Sequence, residues 1–177
     1  MCKHKNEELL PYYEKARELL NYNPNTGELT WKESTKGRGH VHKKGDLVGC
    51  INGNGYYTTS VTLYKKSKVL QCHRIAWFIY YGYLPNNIDH INMDRVDNKI
   101  ANLRDCTNQE NMMNRKSFRG SSSKYKGVSF HKRDKKWTAQ IRFKGKLRHL
   151  GYFDLEADAH KAYERASKEM FGDFHNR

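Results

Sequence analysis

The run Ser117-Phe-Arg-Gly-Ser-Ser-Ser-Lys124 interrupts the 177-residue chain ahead of its last third. Gly and Ser residues neither fill a core nor hold a regular element, so this stretch reads as a flexible connector. With a hydrophobic fraction of 37%, the chain has the material for two small cores rather than one large one. The expected division is 1–116, a linker at 117–124, and 125–177.

Charge follows the same division. Residues 1–86 carry 13 basic and 7 acidic side chains, 87–117 carry 5 and 5, and 118–177 carry 15 and 7. A formal charge of +14 favours a polyanionic partner, and the neutral middle segment suits groups that must hold a cation while its flanks grip. The longest apolar run, Ile75 to Leu84, is too short to span a bilayer, so no membrane partner is expected. The first residues lack the apolar core of a secretory signal. Cys2, Cys50, Cys72 and Cys106 form no Cys-x-x-Cys pair, which argues for reduced thiols and against a zinc knuckle.

Hydrophobic spacing predicts a helix over 7–21, a short strand at Glu28–Lys32, and strands at Leu47–Ile51, Tyr56–Leu63 and Lys68–Cys72. A packed helix follows at His73–Gly82. Ile88–Ile91 and Asn102–Thr107 read as strands around a polar loop, with a helix at Asn108–Arg115. After the connector come three strands, Tyr125–His131, Lys136–Arg142 and Leu147–Phe153. Asp154 then caps a helix with Leu155, Ala159, Ala162, Tyr163, Ala166 and Met170 on one stripe. The fold class is α+β: an N-terminal antiparallel sheet and a strand-strand-helix motif, linked to a three-stranded antiparallel sheet packed on one helix.

Asp89-His90 is followed by Asn102 twelve residues after the histidine and by Asn111 nine further on. Cutting a phosphodiester needs a base for water, a divalent cation at the phosphate, and ligands that leave the base free, and these residue types can supply them. The texts Ile88-Asp-His-Ile-Asn-Met-Asp-Arg-Val-Asp-Asn-Lys-Ile-Ala-Asn-Leu-Arg104, Asn108-Gln-Glu-Asn-Met-Met-Asn114 and Cys72-His-Arg-Ile-Ala-Trp77 resemble the HNH endonucleases of the ββα-metal type, most closely the phage and intron-encoded homing enzymes. The resemblance implies His90 as general base, Asp89 and Asn111 as ligands of one Mg²⁺ or Mn²⁺ ion per site, and Asn102 as the residue that orients His90. An amide oxygen can fix an imidazole tautomer, and one carboxylate with one amide leaves a hard cation most of its shell for water and phosphate. Asp94, Asn98 and Asn114 read as loop or capping residues outside this set. His73-Arg74 reads as a helix-start pair, with a phosphate contact by Arg74 as the alternative, and His40-Val-His42 as exposed loop rather than a metal pair.

The last third, Tyr125-Lys-Gly-Val-Ser-Phe-His131, Lys136-Trp-Thr-Ala-Gln-Ile-Arg142 and Leu147-Arg-His-Leu-Gly-Tyr-Phe153, resembles the Apetala2-type DNA-binding domain of plant ethylene-response factors. That resemblance implies a sheet in the major groove of double-stranded DNA. Lys126, Ser129, His131, Gln140, Arg142, Leu147 and His149 would face the bases, and Lys132, Arg133, Lys135, Lys144 and Arg148 the phosphates. Arginines and a tryptophan stand in the plant pattern where this chain has Ser129, His131, Leu147 and His149, so its target sequence is its own. Trp137 is expected to pack in the core.

Together these readings predict a metal-dependent, site-directed DNA endonuclease leaving 5′-phosphate and 3′-hydroxyl ends. It would work as a monomer or homodimer in the cytoplasm of a bacterial or phage-infected cell. The alternative is a sequence-specific DNA-binding regulator with an inactive nuclease segment. An RNA-binding protein fits less well, for want of RNP-like aromatic motifs.

Overall fold

A computed structural model describes residues 2–34, 41–113 and 120–172, and it is α+β. His40, Asn114, Arg115 and residues 117–119 of the expected connector lie outside the described residues. Two compact units, Met1–Thr107 and Asn108–Arg177, make up the chain. The helix expected to close the first domain is thus grouped with the second unit.

The first unit begins with α1 (Cys2–Leu19), which starts earlier than the spacing predicts and contains Pro11. Its face of Tyr12, Tyr13 and Ala16 is buried. Two short strands follow, β1 (Leu20–Tyr22) and β2 (Leu29–Trp31), paired with Tyr22 opposite Leu29. β1 has no signature in the sequence, because it continues a helix without a break and has only three residues.

The main sheet has the order β3 (Cys50–Ile51), β4 (Tyr57–Leu63), β5 (Lys66–Gln71). The strand expected at Leu47–Ile51 is shorter, since Leu47 only bridges to Thr30. Tyr64 and Lys65, both at positive φ, form a two-residue turn whose twist matches that of a hairpin. Against this sheet pack α1 and α2 (Cys72–Tyr81), burying Val61, Leu70, Ile75 and Phe78 among others. Burying a side chain of this size contributes about 1.5–3 kcal/mol, so these few residues hold the layers together.

A second, smaller cluster of Trp77, Ile88 and Leu103 joins α2 to the antiparallel pair β6 (Asn87–His90) and β7 (Leu103–Cys106). The register sets Asp89 opposite Arg104 and His90 opposite Leu103. The loop between the strands ends in a 3₁₀ turn at Ile100–Asn102. Among the described residues no helix is long and apolar enough to cross a membrane, and Cys50 and Cys72 are free thiols.

The second unit opens with α3 (Asn108–Met113). Its sheet has the order β10 (Lys146–Phe153), β9 (Lys136–Phe143), β8 (Val128–His131), all antiparallel. On one face lies α4 (Glu156–Phe171), where Ala159, Tyr163 and Ala166 meet Val128, Ala139 and Ile141. The alanines on the helix stripe permit this close approach. Trp137 packs at the edge of the same cluster.

Candidate functional site

In the first unit, the cross-strand register of β6 and β7 creates a buried ion pair. Asp89 Oδ2 accepts from Arg104 Nη2 at 2.7 Å and from Nε at 2.9 Å. The two side chains are only 7% and 15% exposed. Removing one partner of such a pair strands the other charge away from water. Arg104→Leu is therefore expected to destabilise the unit by about 3–5 kcal/mol in chelator, read from a urea melt. A loss below about 1 kcal/mol would mean the pair is screened as a surface pair is.

Next along β6, His90 is 5% exposed, and its Nε2 lies 3.1 Å from Asn98 Oδ1. With an amide oxygen as acceptor, Nε2 carries the hydrogen and the lone pair of the neutral ring is on Nδ1. Burial lowers the His90 pKa below its ordinary value, and the Asn98 bond and the carboxylates of Asp89, Asp94 and Asp97 oppose that shift. A neutral imidazole with one fixed tautomer can act as a base.

Asn98, not Asn102, thus bonds the candidate base, which corrects the expected role of Asn102. The Asn102 amide holds the loop instead, with Oδ1 accepting from the Asn92 N–H at 3.0 Å and Nδ2 donating to the Asp97 carbonyl at 2.8 Å. Asp94 Oδ1 accepts from the Val96 N–H, a turn role as expected. Asn98 is itself held from the β1–β2 side, where Tyr22 Oη donates to its carbonyl at 2.8 Å and Ile100 N donates to Pro24 O. The signal that could have found Asn98 is weak, because Asp-Asn in a polar loop is ordinarily a turn former.

Two rings back His90. His73 stands edge-on at 5.0 Å between centroids, and Tyr56 lies 6.0 Å from His90 and 5.3 Å from His73. Arg95 sits over Tyr56 at 5.0 Å and donates to the Asn54 carbonyl. His73 is 5% exposed, and its Nδ1 has no hydrogen-bond partner among the described residues. Burial first, then the charges of His90 and Arg74, push its pKa down to about 3.

Because this folded value lies below the value of about 6.5 in an unfolded chain, the unfolded state binds the extra proton between them. The stabilisation is complete above about pH 6.5 and declines as pH falls towards 3. Wild type is expected to lose up to about 1.4 kcal/mol per pH unit across that window relative to His73→Phe. Parallel pH-dependent melts of the two proteins would show otherwise if their curves tracked each other. Arg74, for its part, bonds Tyr13 Oη, Asn6 Oδ1 and Pro85 O, a clamp between α1 and the chain after α2.

Asn111 stands half-buried on α3 of the second unit. Among the described residues no group of three or more His, Cys, Asp or Glu side chains gathers for a metal. The Asp89 carboxylate on β6 is an oxygen donor of the kind a hard cation takes while keeping most of its shell for water and phosphate. It does not fit a thiolate-type zinc centre.

In the second unit, direct cross-strand partners share a face. The pairs Ser129 with Thr138, His131 with Lys136, His149 with Gln140, Leu147 with Arg142, and Tyr152 with Thr138 define the face away from α4. Ser129, His131, Gln140, Arg142, Leu147 and His149 are thereby gathered on it. Arg148 is not, for it pairs with Ile141 on the helix side and lies over the Phe143 ring. Lys126 precedes β8, and its Nζ donates to the Met112 carbonyl at 2.6 Å, so the ammonium also ties α3 to the unit. Arg133 and Lys144 are exposed in the two hairpin turns, and Lys144 lies 5.3 Å from the Phe143 ring centre. Tyr152 was absent from the sequence reading of this face.

Residues 71–113, from the end of β5 through α3, match the HNH endonuclease family. Over 125 residues, 69% of this chain, the sequence is 30% identical to an uncharacterized HNH endonuclease of Acanthamoeba polyphaga mimivirus. Over 58 residues, 33% of this chain, it is 40% identical to an AP2-like ethylene-responsive transcription factor of Arabidopsis thaliana. The chain spans 62% of the viral relative's length and 12% of the plant one's. The solved structure of DNA binding and cleavage by the HNH homing endonuclease I-HmuI aligns over 52% of this chain and 49% of that chain, with 24% identity and a TM-score of 0.39.

Proposed function

We propose that this protein is a metal-dependent, site-directed DNA endonuclease, with the cut made at β6 and duplex DNA gripped by the Apetala2-like sheet of the second unit. The observation that carries the reading is His90, fixed by Asn98 at 3.1 Å and next in sequence to Asp89, inside the segment that matches the HNH family. His90 accepts a proton from water on the nitrogen not bonded to Asn98, and water adds to phosphorus while the 3′ oxygen leaves. Asp89 would be a ligand of a Mg²⁺ or Mn²⁺ ion, which when bound supplies charge stabilisation at the phosphate. Asn98 holds the ring orientation throughout, and Asn102 keeps the loop that presents it. One site per chain nicks a strand, and a homodimer would cut both.

The rival reading, a DNA-binding regulator with an inactive nuclease segment, is favoured by Arg104, whose two bonds to Asp89 Oδ2 compete with a cation. Incubating the full chain and Mg²⁺ with a library of duplex targets and sequencing the new ends separates the two. The endonuclease reading expects cuts at a recurrent site with ligatable 5′-phosphate ends, whereas binding without new ends supports the regulator.

A further inference from the structure

On the open face of the second unit's sheet, four side chains form a cluster that no alternation of residues foretells. Tyr152 follows His149 by three positions, so in an unbroken strand it would point to the helix side. The β10 register shifts between His149 and Gly151, and this bulge returns Tyr152 to the face of His149. Its ring then lies 4.6 Å from that of His149 and 5.8 Å from that of His131. Beneath them is Thr138, only 4% exposed although it faces away from α4. Thr138 Oγ1 and His149 Nε2 are 3.0 Å apart. His131 Nδ1 is 3.1 Å from Asp134, without the alignment of a hydrogen bond.

The distribution of charge over this face is informative. Its centre, Ser129, Thr138, Gln140, His149 and Tyr152, carries no permanent charge, whereas the hairpin turns carry Lys132, Arg133, Lys135 and Lys144. A neutral, hydrogen-bonding centre inside a basic rim matches a duplex groove, where base edges lie between two phosphate backbones. Tyr152 is 51% exposed.

We propose that Tyr152 is a specificity-determining positioning residue: wedged between His131 and His149 over Thr138, it fixes the two imidazoles against the base edges of a DNA duplex. The proposal rests on the reading of this sheet as the DNA-binding surface. Without the ring, His131 and His149 regain rotamers and accept more than one base. The basic rim, and with it sequence-independent affinity, is unaffected.

The test is selection from a randomised duplex library with the full chain in chelator, so that binding is read without cleavage. Wild type, Tyr152→Ala, Tyr152→Phe and Thr138→Val are compared, with melting curves for each. Wild type and Tyr152→Phe are expected to enrich one motif. Tyr152→Ala is expected to lose about tenfold of the preference at the base pairs read by the histidines, the scale of one good base contact, while its affinity for unselected duplex is unchanged. Thr138→Val, which keeps the shape but removes the bond to His149, relaxes the preference at fewer positions, and it carries the test if Tyr152→Ala does not fold. Equal motifs and equal discrimination in wild type and the variants that fold would overturn the proposal alone. No motif from wild type would overturn the DNA-reading sheet and the proposal with it.

Discussion

Replacing His90 by alanine is expected to lower the rate of metal-dependent DNA cleavage by about 10²- to 10⁴-fold, the usual contribution of a positioned general base. Duplex binding measured in chelator should be unchanged, because the basic rim and neutral face of the second unit's sheet contain no part of β6. The expected loss is large because the ring is preset. Its Nε2–H is engaged by Asn98, its pKa is held below the ordinary value by burial, and His73 and Tyr56 stand against it. Asn98→Ala should reproduce part of the loss, since it strands a buried N–H at a cost of about 1–3 kcal/mol and frees the ring to turn. Single-turnover cleavage of one labelled duplex by the three proteins measures both effects. A His90→Ala rate within about threefold of wild type would remove the histidine from the chemistry, being far short of a base's contribution.

Gly127→Ala is expected to destabilise the second unit by more than about 3 kcal/mol, combining a left-handed backbone with an overpacked core. Gly127 has φ +71°, and a Cβ there would lie 2.2 Å from Tyr163 Cε2 and 2.6 Å from the Gln140 carbonyl oxygen. The ring is buried at 5% exposure, and the carbonyl is fixed in the sheet, so neither neighbour can yield cheaply. Gly145 is the control. It also has positive φ, but among the described residues nothing lies within 4 Å of its Cβ position, so Gly145→Ala carries only the backbone strain of about 1–2 kcal/mol. Thermal melts of the two variants should therefore differ clearly, with duplex affinity lost alongside folding in Gly127→Ala. Equal melting temperatures would contradict the packing described for β8 and α4.

The elements most legible in the sequence were those with long, strong periodicity. The α4 stripe of Ala159, Tyr163 and Ala166 and the three strands ahead of it followed from hydrophobic spacing, as did Asp89 and His90 on one short strand. What spacing could not carry was register and irregularity. Arg104 reaches Asp89 because β7 pairs with β6 at that offset, which no local pattern encodes. Tyr152 reaches the open sheet face through a bulge, and strict alternation assigns it to the opposite side. Asn98 and Asn102 exchange the roles expected of them because a polar loop offers several amides at similar reach, and only the loop's closure decides which one meets the imidazole.

The central claim, that an imidazole of β6 and a hydrated divalent cation act together on one DNA phosphodiester, is tested most directly on supercoiled plasmid. Wild type is expected to convert it to open-circle or linear DNA in Mg²⁺ or Mn²⁺, with excess chelator stopping the conversion and restored metal restoring it. Conversion that continues at the same rate in chelator, or no conversion with any divalent cation while the plasmid is bound, would contradict it.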